Sequence, residues 1–64
     1  MDDEDFNMSM RKFLKKVGIT SQAAIEEAVR AAEGGGKTYN VRAVITIEEL
    51  GMTHEVTGTI SGRD

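Results

Sequence analysis

Lys15-Lys16-Val17-Gly18-Ile19-Thr20-Ser21-Gln22 is the stretch on which the fold turns, because it carries the signals that end one helix and begin the next. Upstream of it, Phe6, Met10, Phe13, Leu14 and Val17 recur at the helical period. Acidic Asp3, Glu4 and Asp5 open that segment and Lys15 and Lys16 close it, each sign suited to its end of a helix dipole. Gly18 then has the place of a left-handed residue just past a C-terminus. Downstream, Thr20 is a good N-cap, with Ile19 before it able to staple onto Ala24. The punctuation predicts a helix over about 3–17, a two-residue connection, and a second helix over about 21–33. Ile25, Ala28, Val29 and Ala32 give the second helix a narrow inner stripe, so the pair is expected to form an αα-hairpin.

Gly34-Gly35-Gly36 is the next break, a joint at which a helix stops. Beyond it, Tyr39, Val41, Ala43, Ile45 and Ile47 alternate with mostly polar neighbours, which predicts a half-buried strand over about 38–48. A second alternation through His54, Val56, Gly58 and Ile60 predicts its partner over about 53–61, with a turn around Leu50-Gly51. An even loop of two or four residues keeps both faces matched, in a register that sets Val41 against Ile60, Ala43 against Gly58, Ile45 against Val56 and Ile47 against His54. Asn40, Arg42, Thr46 and Glu48 then meet Ser61, Thr59, Glu55 and Thr53. The expected fold is α+β: one small domain over 1–64, with two N-terminal helices packed on a C-terminal antiparallel β-hairpin.

Composition narrows the function classes. A 64-residue chain has room for a single small core, and such folds usually lean on disulfides, a metal or self-association. The absence of cysteine removes the first and weakens the second, leaving association with a second copy. A net charge of −3 argues against a surface wholly devoted to nucleic acid or anionic lipid. No apolar run is long enough to span a bilayer, and the start Met1-Asp2-Asp3-Glu4-Asp5 is the reverse of a cationic signal peptide. The expected location is the cytoplasm.

Chemistry-bearing motifs are sparse. Ala31 to Thr38, A-A-E-G-G-G-K-T, fits the loose phosphate-loop pattern, yet such a loop needs a strand before it and a helix after it. The predicted order here is the reverse. His54 is the sole histidine, and on a strand it points away from its neighbour Glu55, so no catalytic or metal-binding pair converges. No enzyme activity, catalytic residue, metal or cofactor is expected. The acidic opening reads as a solvated helix start.

The cations Arg11, Lys12, Lys15 and Lys16 lie opposite the apolar stripe on a helical wheel, an arrangement common on any solvated face. Met8 falls among them, and an adaptable apolar side chain ringed by cations is a docking spot for an acidic, partly apolar protein surface. Met8, Arg11, Lys12 and Lys15 are therefore the candidate partner-binding residues. The hairpin has two open edges without proline or lysine guards, so a two-fold pairing of strands would complete a four-stranded sheet, with Val44, Arg42, Thr57 and Thr59 at the dimer edge.

Phe6-Asn7-Met8-Ser9-Met10-Arg11-Lys12-Phe13-Leu14-Lys15-Lys16-Val17-Gly18-Ile19-Thr20-Ser21-Gln22 resembles the opening of a family of short, uncharacterised bacterial proteins known as a domain of unknown function. A looser similarity runs from Val44 through His54 to Gly58 and Ile60. The resemblance implies a bacterial, intracellular protein and names no site residue. From the residues, the leading expectation is a homodimeric protein-interaction or assembly module. The alternative is a small nucleic-acid-associated factor using the basic face of the first helix, which a steep fall of binding with salt would reveal.

Overall fold

The computed structural model describes residues 3–32 and 36–62. It contains one helix, α1 (Asp3–Ala31), then strand β1 (Thr38–Ile47), a 3-10 turn (Glu48–Leu50) and strand β2 (Met52–Ser61). The α+β class holds. The αα-hairpin does not, because α1 runs unbroken through the stretch expected to divide it.

Magnitudes explain the correction. Glycine inside a helix costs about 1 kcal/mol relative to alanine. Ending the helix at Val17 and starting another would need a second nucleation, with a constant on the order of 10⁻³, or about 4 kcal/mol. Continuation therefore wins. Among the described glycines a positive φ occurs at Gly36 and Gly51, so Gly18 carries no left-handed turn. Thr20 does not cap: its hydroxyl donates backwards to the Lys16 carbonyl at 2.7 Å, as a threonine within a helix does. Ile19 is no staple either, standing 57% exposed in mid-helix. Lys15 and Lys16 become interior positions, and Arg30 is the base in the last turn, complementing the dipole together with the acidic first turn.

The hairpin forms as expected, with its strands trimmed to Thr38–Ile47 and extended to Met52–Ser61. Its register differs. Val41 lies opposite Gly58, Ala43 opposite Val56, Ile45 opposite His54 and Ile47 opposite Met52, a slide of two residues from the expected pairing. Alternation cannot detect such a slide, because side chains repeat every two residues and each keeps its face. The turn decides it. Gly51 adopts φ 60°, ψ 30° and its N–H donates to the Glu48 carbonyl at 3.1 Å, closing a four-residue loop between Ile47 and Met52. At the other end the Gly62 N–H donates to the Lys37 carbonyl.

Helix and hairpin each form a compact unit. No described residue is buried. The least exposed are half-buried: Val17, Ile25 and Val29 on α1, Tyr39, Val41, Ile45, Met52 and Ile60 on one face of the hairpin, and Gly62. Gly34 and Gly35 of the expected joint lie outside the described residues.

Candidate protein-interaction surfaces

An α-helix turns about 100° per residue, so positions four, seven and eleven apart share a face. On the unbroken α1 this brings Met8, Lys12, Lys15 and Ile19 into one row. Met8, Arg11, Lys12 and Lys15, the candidate partner-binding residues, border one solvent-open hollow together with Asp5 and Ser9. The Ser9 hydroxyl donates to the Phe6 carbonyl at 3.0 Å, which leaves the rim of the hollow to charged and apolar groups. Met8 is 64% exposed and so belongs to the surface. Ile19 extends the same row by one more apolar group. Sequence reasoning missed it by assigning Ile19 to a connection between two helices; the signal was its spacing of eleven from Met8.

The opposite face of α1 carries Phe6, Met10, Phe13 and Leu14, between 43% and 53% exposed, continued by Val17, Ala24 and Ala28. It is a second and larger apolar surface. No helix among the described residues is long and apolar enough to cross a membrane.

On the hairpin, Arg42, Val44, Thr57 and Thr59, the residues expected at a dimer edge, share the polar face. Arg42 lies opposite Thr57, and Val44 opposite Glu55. The Arg42 guanidinium reaches diagonally to the Glu55 carboxylate at 3.3 Å, and both side chains are more than half exposed. An ion pair this open contributes about 0–1 kcal/mol. Val44, 50% exposed, is the apolar exception on that face. Asn40, Val41, Arg42, Thr57, Gly58 and Thr59 border a shallow hollow.

His54 faces Ile45, not Ile47, and is exposed on the face opposite Glu55. Among the described residues no three histidine or carboxylate groups gather as a metal site would require. The phosphate-loop look-alike follows a helix and precedes a strand, the inverse of the order that aims backbone N–H groups at a phosphate.

Fold and surfaces together define an α+β chain of one long amphipathic helix and one β-hairpin, with its chemistry-bearing side chains on open faces. Residues 1–63 match the family of unknown function DUF6494, and the chain belongs to that family. Neither the curated proteins nor the solved structures give a match.

Proposed function

We propose that this protein is a cytoplasmic protein-association module that works as a homodimer and receives an acidic, partly apolar protein surface on the Met8 face of α1. The observation that carries the reading is exposure: ten large apolar residues, from Phe6 to Val56, each keep at least 37% of their surface accessible. A 64-residue chain without disulfides has few other sources of stability, and contiguous exposed apolar surface marks places where proteins associate. The Met8 face adds charge complementarity toward an acidic partner, with Arg11, Lys12 and Lys15 around the methionine.

Sedimentation equilibrium of the full chain tests the self-association. A mass near twice 7.0 kDa is expected, and a monomer showing cooperative unfolding removes the homodimer. Affinity capture with wild type and with a Met8→Ser, Lys12→Glu, Lys15→Glu variant, each with and without nuclease, tests the docking face. A nuclease-resistant acidic protein lost in the variant supports it. Nuclease-sensitive capture that falls steeply with salt points instead to nucleic acid on the same cations.

A further inference from the structure

We infer that the acidic, partly apolar surface received by the Met8 face of α1 is the tip of the β-hairpin, Glu48-Glu49-Leu50, of a second copy. The inference rests on both halves of the function proposed above and makes the docking face and the homodimer contact one and the same.

The tip has the chemistry that the hollow asks for. Gly51, at φ 60°, and its N–H bond to the Glu48 carbonyl hold Glu48–Leu50 in a single 3-10 turn. Successive side chains of such a turn stand about 120° apart, so Leu50 has a carboxylate on either side. Leu50 is 73% exposed, more than any other large apolar residue among those described. Met8 mirrors it with the opposite charge. On the helical wheel Arg11 falls about 60° to one side of Met8 and Lys12 about 40° to the other, with Lys15 close to its own line. Asp5 is one carboxylate against these three cations on the border of the hollow. Among the described residues, none of Arg11, Lys12, Lys15, Glu48 and Glu49 takes part in an ion pair, so both signs are available.

The other acidic groups suit the hollow less well. Asp3, Glu4 and Asp5 complement the N-terminus of their own helix, and Asp5 borders the hollow itself. Glu26 and Glu27 follow Ile25, which is half-buried, and Glu55 is paired with Arg42. At the tip, unpaired carboxylates flank the most exposed apolar side chain. A second copy is also the partner that brings both halves of the contact. One tip in one hollow is a small contact; two formed about a single two-fold axis double it and hold each other in place.

Exchange of charge tests this with full-length chains. One variant reverses the hollow, Lys12→Glu, Lys15→Glu, and a second reverses the tip, Glu48→Lys, Glu49→Lys. A third, Glu26→Lys, Glu27→Lys, makes the same charge change as the second but away from both surfaces. Each is followed by sedimentation equilibrium, alone and mixed, with far-ultraviolet dichroism to check that the helix is kept. The wild type and the third variant are expected to be dimers. The hollow and tip variants, each meeting like charge, should be monomers alone and a mixed dimer together, because reversed hollow then meets reversed tip and original tip meets original hollow. Leu50→Ser, which leaves every charge in place, should weaken the dimer about tenfold or more. Added salt should weaken the wild-type dimer too. A dimeric wild type whose tip or hollow variant stays dimeric, or whose two variants stay monomeric when mixed, overturns this contact and leaves the homodimer to another surface. If the hollow variant pairs with the third variant as readily as with the tip variant, net charge is the cause and the contact falls as well. A monomeric wild type removes both readings.

Discussion

Gly18 stands in mid-helix with nothing within 4 Å of where a Cβ would be, so an added methyl group meets no obstacle. Gly18→Ala is therefore expected to raise stability by about 0.5–1 kcal/mol and to increase helical ellipticity. A loss of stability would instead return Gly18 to a left-handed turn and divide the helix. Gly51 is the contrasting case: with φ at 60°, Gly51→Ala is expected to cost the hairpin about 1 kcal/mol, measured by denaturant unfolding. At Gly62 the obstacle is contact, since a Cβ would sit 2.5 Å from the Lys37 carbonyl oxygen and 2.9 Å from the Tyr39 ring. Gly62→Ala should open the Lys37–Gly62 end of the hairpin, seen as faster amide exchange at Gly62 and Tyr39. A double-mutant cycle on Arg42→Ala and Glu55→Ala should give a coupling below about 1 kcal/mol that shrinks in high salt.

Elements and their internal rules divide what was legible from what was not. The hairpin could be read because alternation over Tyr39–Ile47 and His54–Ile60 has a period of two that few helices imitate. The two-residue slide in register was hidden for the same reason, and only the left-handed geometry of Gly51 discloses it. The helix was misread at Gly18 and Thr20, where local propensity argued for a stop and a start. Propensity there is worth about 1 kcal/mol, and a second nucleation outweighs it. The stripe itself was the better guide, since Phe6, Met10, Phe13 and Val17 keep their line through the break to Ala24 and Ala28. At the candidate site, Met8 and its cations were legible because they lie within one turn or two. Ile19 was not, because its membership depends on the helix continuing past Gly18.

For the molecule as a whole, exposure governs behaviour: with no described residue buried, stability should depend on how many copies are present. A tenfold increase in concentration is expected to raise the midpoint of thermal unfolding, and an invariant midpoint would mean that folding and association are uncoupled. Tyr39 adds an optical consequence. The chain has one tyrosine and no tryptophan, and that tyrosine sits in β1 beside Gly62. Ultraviolet fluorescence of the native protein therefore reports on the hairpin alone, while far-ultraviolet dichroism is dominated by the helix. Two signals, from two segments, come without any label. Traces that superimpose under denaturant would mean that helix and hairpin melt as one; traces that separate would let each be weighed on its own.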